Sequence, residues 1–271
     1  MKSRFVVAQM EQNGDPEINL ENARKAVAEA VEYYHADFIV FPECFMSLYP
    51  AGTPHEKQLA SAQTLDGPFA TEMKKLAKDN HVWIAFGMNE RVDNPADPRN
   101  HNTTMIIDSE GEVKGVYRKT HLYDAFGYKE SDTICPGDKL FDPIDTPFGK
   151  IGLFVCYEVR FPEVARDQVL KGADIILMPT AWASGPLKSH QFKTLITARA
   201  IENTAYIVAA DQVGVNSMGE SIIVDPMGVA VASAGETPQL ICATIDTDRI
   251  KQVRAKLPSF KDRRPYLYLV K

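Results

Sequence analysis

Apolar positions along the chain follow two rhythms. Short, near-continuous apolar runs predict strands buried on both faces: Phe5-Val6-Val7-Ala8, Phe38-Ile39-Val40-Phe41, Trp83-Ile84-Ala85-Phe86, Ile151-Gly152-Leu153-Phe154-Val155, Ile175-Ile176-Leu177-Met178 and Tyr206-Ile207-Val208-Ala209. Between them, apolar residues recur at helical spacing. Leu20, Ala23, Val27, Ala30 and Val31 predict a helix over 19–34, with further helices over 68–80, 161–171 and 188–203. Asp108-Ser109-Glu110-Gly111 and Asp225-Pro226-Met227-Gly228 read as the turns of two hairpins.

The order of these pieces repeats. Ala36-Asp37-Phe38-Ile39-Val40-Phe41-Pro42 is echoed by Ala173-Asp174-Ile175-Ile176-Leu177-Met178-Pro179, and Trp83-Ile84-Ala85-Phe86 by Tyr206-Ile207-Val208-Ala209. Thr104 to Gly111 is echoed by Ser221 to Gly228. Each half therefore reads strand, helix, strand, helix, strand, hairpin. Apolar strands alternating with helices need helices covering the sheets. Two equivalent halves predict an α/β fold, a four-layer α-β-β-α sandwich. No Pro/Gly/Ser-rich linker interrupts the chain, so residues 1–271 read as one domain. The stretch 249–271 lacks the regular pattern and reads as a tail that docks on the body or on a partner subunit.

Composition narrows the possible partners. The 271 residues are 45% hydrophobic and 24% charged, ordinary for a globular protein. A net charge of −6 without a basic block argues against nucleic acid and anionic membranes. No run is long enough to span a bilayer, and Met1-Lys2-Ser3-Arg4 leads directly into a strand. Cysteines 44, 135, 156 and 242 form no CxxC pair and no metal-ligand spacing, so no metal is expected on them. A reducing, cytoplasmic setting fits and would keep a reactive thiol reduced.

Three chemically distinctive residues end apolar runs: Glu43 after Phe38-Ile39-Val40-Phe41-Pro42, Lys119 after Val116-Tyr117-Arg118, and Cys156 after Ile151 to Val155. Carboxyl ends of strands are where α/β proteins build sites. Amide hydrolysis needs a nucleophile, a base, an oxyanion donor and an acid for the leaving amine. Cys156, Glu43 and Lys119 suit these roles. Taken singly, each also has a bland reading: a small buried hydrophobe, a solvated carboxylate, a surface lysine.

Together, Phe-Pro-Glu at 41–43, Arg-Lys-Thr-His-Leu at 118–122 and Cys-Tyr-Glu-x-Arg-Phe-Pro-Glu at 156–163 resemble the nitrilase, or carbon–nitrogen hydrolase, superfamily. The resemblance runs from the first strand to about residue 248. It implies the same four-layer sandwich and a Glu43–Lys119–Cys156 triad, with Glu130 as a fourth member and the Tyr157 N–H as a second oxyanion donor. It also implies a cofactor-free amidase of the Nit or omega-amidase type, working through a Cys156 thioester and built as a homodimer or higher homo-oligomer. True nitrilases typically carry Cys-Trp-Glu where this chain has Cys156-Tyr157-Glu158. The segment His121 to Gly127 departs from the well-known Nit-type members, which leaves the small-molecule substrate open. The alternative is hydrolysis of an N-carbamoyl amine or N-carbamoyl amino acid; a catalytically inactive binding module on the same scaffold is a third.

For substrate contacts, Arg160 either pairs with a substrate carboxylate or holds Glu158 or Glu163 in an ion pair. Tyr49 and Trp182 either wall the pocket or pack in the core. Other hydrolase and cofactor classes lack their marks: there is no G-x-S-x-G, no G-x-G-x-x-G after the first strand, and no H-E-x-x-H.

Overall fold

The computed structural model describes residues 2–50, 52–92, 94 and 97–268. The first half runs β1 (Lys2–Gln9), α1 (Pro16–Tyr34), β2 (Phe38–Val40), α2 (His55–Ala60), α3 (Pro68–Asp79), β3 (Trp83–Arg91), β4 (Asn100–Ile107) and β5 (Val113–Arg118). A small hairpin follows, β6 (Asp124–Ala125) and β7 (Tyr128–Lys129). The second half runs β8 (Ile144–Thr146), β9 (Gly149–Leu153), α4 (Pro162–Leu170), β10 (Ile175–Pro179), α5 (Lys188–Asn203), β11 (Tyr206–Ala210), β12 (Ile222–Val224), β13 (Ala230–Ser233) and β14 (Gln239–Asp246), then α6 (Thr247–Lys256).

The strands form two six-stranded sheets, ordered β14-β1-β2-β3-β4-β5 and β8-β9-β10-β11-β12-β13. In each, three parallel strands (β1-β2-β3; β9-β10-β11) continue into an antiparallel pair (β4-β5; β12-β13). An antiparallel edge strand, β14 or β8, closes the other side. The repeat visible in the sequence is thus a repeat of sheet topology.

Side-chain alternation sorts the layers. On the first sheet Phe5, Val7, Phe38, Val40, Trp83 and Ala85 share a core with Leu153, Ile175, Leu177, Ile207 and Ala209 of the second. Their sequence neighbours Val6, Ala8, Ile39, Phe41, Ile84 and Phe86 pack instead with Leu20, Ala23, Val27 and Ala30 of α1 and Phe69, Met73 and Ala77 of α3. Period-2 strands bury both faces only when one face meets a sheet and the other meets helices. The result is the α-β-β-α sandwich. Phe5 and Phe38 stack with centroids 5.1 Å apart, and Phe148 meets both edge-on in the inter-sheet layer.

Two boundaries differ from the sequence reading for identifiable reasons. Helix α1 starts at Pro16, because the Asp15 side chain caps it by accepting from Glu17 N–H (2.9 Å) and proline suits the first turn. The tail is not wholly irregular: α6 spans Thr247–Lys256, capped by Asp246, and buries only Ile250 and Val253. Two inward positions are too few to show as a period. The tail docks on the body, with Arg254 donating to the Thr204 hydroxyl (2.9 Å) and Phe260 lying beside Arg166.

Candidate active site

Five strands deliver their carboxyl ends to one place. Strand β5 is antiparallel to β4, which is antiparallel to β3, so β5 runs with β1–β3. Glu43 lies just past β2 and Lys119 just past β5; Cys156 lies just past β9, and Thr180 and Asp211 just past β10 and β11. Two sheets packed face to face thereby bring ends from both halves together. Gly87 makes room for the turn that presents Glu43. A Cβ there would sit 2.4 Å from Cys44 N and 2.7 Å from Pro42 O. Without one, β3 holds the turn by Gly87 N–H to Pro42 O (3.0 Å) and Met46 N–H to Gly87 O (3.0 Å).

Lys119 is no surface lysine. Its side chain is 2% exposed, and its Nζ donates to Glu43 Oε1 (2.9 Å) and to both Glu130 oxygens (3.1 and 2.9 Å). Burial alone would drive this amine toward neutrality. The adjoining Glu130 and Glu43 carboxylates outweigh it and hold the group well above its ordinary pKa, a fixed ammonium. Asn102 on β4 donates one amide to both carboxylates, at 2.7 Å to Glu43 and 3.2 Å to Glu130. Glu43 Oε2 accepts from Ala181 N–H (2.8 Å). Glu130 also accepts Tyr123 N–H (2.6 Å), which ties it to the β6–β7 hairpin.

Cys156 opens a 3-10 turn, Cys156–Arg160, that leads through Phe161 into α4. Its φ of +48° is left-handed, a conformation uncommon for a side chain of this kind and often retained at functional turns. Tyr157 N–H lies at the amino end of that turn, where backbone donors have no intrahelical partner. Burial, and then the Glu43 charge, push the Cys156 thiol well up. Lys119, the Thr180 hydroxyl and Ala181 N–H pull the other way without offsetting the rise. A thiol pushed up in this way calls for a base to take its proton as it attacks.

Glu158 is fully buried and locks this turn to the segment that carries Lys119. Its Oε2 accepts Val155 N–H (2.7 Å), while Oε1 accepts the Tyr117 hydroxyl (2.7 Å), Thr120 N–H (3.0 Å) and the Thr120 hydroxyl (2.7 Å). Arg160 makes no ion pair with Glu158 or Glu163. It donates to Gln191 Oε1 (2.8 Å), and its guanidinium lies 4.9 Å from the Trp182 ring centre. Glu158 has no capacity to spare, being filled by the Val155, Tyr117 and Thr120 donors.

Trp182 adjoins the Ala181 N–H that holds Glu43, and Tyr157 meets Tyr123 edge-on at 5.2 Å. A second cation joins them. Lys188 Nζ donates to the Tyr123 hydroxyl (3.1 Å) and lies 4.2 Å from the Phe126 ring centre and 5.9 Å from that of Trp182. Among the described residues neither Arg160 nor Lys188 has a carboxylate partner. Tyr49 is elsewhere. Its ring packs on Gly14 under Lys57, in a surface cleft with Pro16, Gln63 and Arg91 that contains none of Glu43, Lys119 or Cys156. The turn after Glu43 carries it away, because Leu48 N–H bonds Asn13 O (2.9 Å).

The sequence reading missed Asn102, Glu158 as a brace, and Lys188. None left a trace: Asn102 sits in the polar half of β4, Asn100-His101-Asn102-Thr103-Thr104, where nothing marks it out from its neighbours. Among the described residues, no group of three or more His, Cys, Asp or Glu side chains is placed to hold a metal ion, and no helix is long and apolar enough to cross a membrane.

Known proteins resemble this chain in sequence and in fold. The carbon–nitrogen hydrolase family model matches residues 6–255. The deaminated glutathione amidase of Escherichia coli O157:H7 is 36% identical over 250 residues, covering 92% of each chain. The crystal structure of the C. elegans NitFhit protein superposes with a TM-score of 0.89 at 33% identity, over 98% of this chain and 66% of that one. A variant of the amidase from Nesterenkonia sp. AN1, with the acetamide moiety of fluoroacetamide added covalently at its active-site cysteine, superposes at 0.79 and 25% identity, over 98% and 95% of the two chains.

Proposed function

This chain belongs to the carbon–nitrogen hydrolase family and is an amidase-type hydrolase of C–N bonds; from that premise we propose that it hydrolyses a small, carboxylate-bearing amide through a Cys156 thioester. Glu43 takes the thiol proton as sulfur attacks the amide carbon. The developing oxyanion is met by the Lys119 ammonium and the Tyr157 N–H. Glu43 passes its proton to the nitrogen, the C–N bond breaks, and ammonia leaves. Water, deprotonated by Glu43, then attacks the thioester. The acid departs and the thiol regains its proton, so no cofactor is consumed. Glu130 and Asn102 hold Lys119 and Glu43 in register. The observation that carries this reading is the buried Lys119 side chain, shared by two carboxylates at the strand ends where Cys156 is also delivered.

The test is a release assay over amides, N-carbamoyl compounds and nitriles that scores ammonia and carbon dioxide separately. Ammonia from amides alone fits the proposal. Carbon dioxide with ammonia from a carbamoyl compound would assign the alternative branch. A nitrile preferred over its own amide would overturn the amidase chemistry.

Arg160 and Lys188 support an acidic substrate. In a chain of net charge −6, two half-buried cations against one indole have no carboxylate of their own among the described residues. Arg160→Ala is expected to raise KM for a carboxylate-bearing amide about tenfold more than for a neutral amide of equal size, the worth of one charge-assisted hydrogen bond. Arg160→Lys should recover part of that loss, since the planar fork is gone. Equal losses for the two amides would make Arg160 a brace for Gln191 and Trp182.

A further inference from the structure

Asp211 lies just past β11, is fully buried, and has no part in the chemistry above. Its Oδ1 accepts two backbone donors from different segments, Trp182 N–H (2.8 Å) and Gln212 N–H (2.9 Å). Both segments reach Glu43. Ala181, next to Trp182, gives its N–H to Glu43 Oε2 (2.8 Å), and the Gln212 side chain donates to the Glu43 backbone carbonyl (3.0 Å). Thr180, beside the Cys156 thiol, belongs to the first of these segments. One oxygen thus ties together the two struts that fix the base at both its carboxylate and its main chain. Ser221 completes the anchor, accepting Asp211 N–H (2.9 Å) and donating to Asp211 O (3.2 Å).

We propose that Asp211 is a positioning residue for Glu43, holding the Thr180–Trp182 turn and Gln212 in register through its Oδ1. The inference rests on Glu43 as the base. The other carboxyl oxygen, Oδ2, is buried with no hydrogen-bond partner. A carboxylate there would be an uncompensated buried charge close to Glu43, an arrangement costing far more than a neutral acid. Burial raises the Asp211 carboxyl well above the usual range, and the facing Glu43 and Glu220 carboxylates add to the rise, against the two backbone donors. Asp211 therefore works as a neutral acid, an acceptor at Oδ1 with a proton on Oδ2. Asparagine has the same shape, the same acceptor and no charge.

The sign of the pH effect follows. The folded carboxyl binds its proton more tightly than the unfolded one, whose pKa is about 3.9. Stability contributed by that proton is complete below the unfolded pKa and declines as pH rises toward the folded pKa. Asp211→Asn carries no such dependence. Its Tm relative to the parent is expected to rise steadily as pH climbs above about 4, the window opened by the raised carboxyl. Glu43 and Glu220 remain in both proteins, so the difference isolates Asp211.

The experiment compares parent, Asp211→Asn and Asp211→Ala by amide kinetics and by thermal unfolding across pH. Asp211→Asn should keep kcat within about threefold; Asp211→Ala, with two orphaned N–H donors, should lose roughly tenfold or more in kcat with KM little changed. A ten-fold loss of kcat in a folded Asp211→Asn, or parental kcat in a folded Asp211→Ala, overturns the proposal. If the alanine variant does not fold, Asp211→Asn decides alone. A Tm difference flat with pH would overturn the neutral acid. The unfolding series needs no turnover, so it stands apart from any failure of the amidase reading.

Discussion

Lys119→Ala is expected to lose 10²–10³-fold or more in kcat, roughly the worth of one oxyanion donor, and to unfold more readily than any other single variant of the site. The two effects have one cause. The ammonium is the shared partner of Glu43 and Glu130, and all three are buried. Removing it leaves two carboxylates facing each other with only the Asn102 amide between them. Breaking a buried pair in this way costs roughly 3–5 kcal/mol. Kinetic and structural losses are separable with Lys119→Met, which fills the cavity without the charge, and Lys119→Arg, which keeps the charge in a planar fork. Neither should restore turnover, because a compact ammonium has to reach three oxygens and the oxyanion at once. Unfolding in denaturant and kcat on the folded fraction give both readings. Near-parental kcat in folded Lys119→Ala would remove Lys119 from the oxyanion site.

Lys119 also illustrates what was legible before any coordinates. The sandwich could be read because its strands are apolar on both faces, and the repeated order of Ala-Asp-strand-Pro in each half signals two matching sheets. The motif segments pointed to Glu43, Lys119 and Cys156, and the resemblance they carry to Glu130; the fold places the first three past strand ends. That the lysine is buried was not legible. Its run Arg118-Lys119-Thr120-His121 is polar, and burial depends on carboxylates 76 and 11 residues away in sequence. The same limit explains the pocket. Arg160 looked able to pair with Glu158, a near neighbour, but that carboxylate is filled by Tyr117, Thr120 and Val155. Its actual partners, Trp182 and Gln191, come from across the fold. Tyr49 follows Glu43 closely in sequence yet leaves the site, because the backbone there bonds to Asn13 rather than continuing a strand.

Cys156→Ala is expected to abolish amide turnover and leave the fold intact, the largest kinetic effect of any substitution in the chain. The side chain is small and nearly buried, and alanine removes only the sulfur. The left-handed backbone at this position tolerates alanine no worse than cysteine, since both carry a single unbranched Cβ. Stability should therefore change little; any strain held there stays. A thiol pushed up by burial and by Glu43 is a poor nucleophile by itself, and in the proposed mechanism it relies on proton transfer to Glu43. That dependence predicts that Glu43→Gln forms acyl adduct slowly as well as turning over slowly, with both steps stalled by one missing base. Cys44 is the control with the most to decide. It adjoins Glu43, has a positive φ of 49°, and its thiol is likewise pushed well up by burial. It differs in the strand it follows: it sits on the turn that carries Glu43, the proposed base, while Cys156 opens the turn proposed to supply oxyanion donors. Cys44→Ala, Cys135→Ala and Cys242→Ala should remain active. Intact-mass and peptide mass spectrometry during turnover should find the acyl group on the peptide that contains Cys156. An adduct on the Cys44 peptide, or residual turnover in Cys156→Ala, would move the nucleophile and overturn the assignment of every group placed around it.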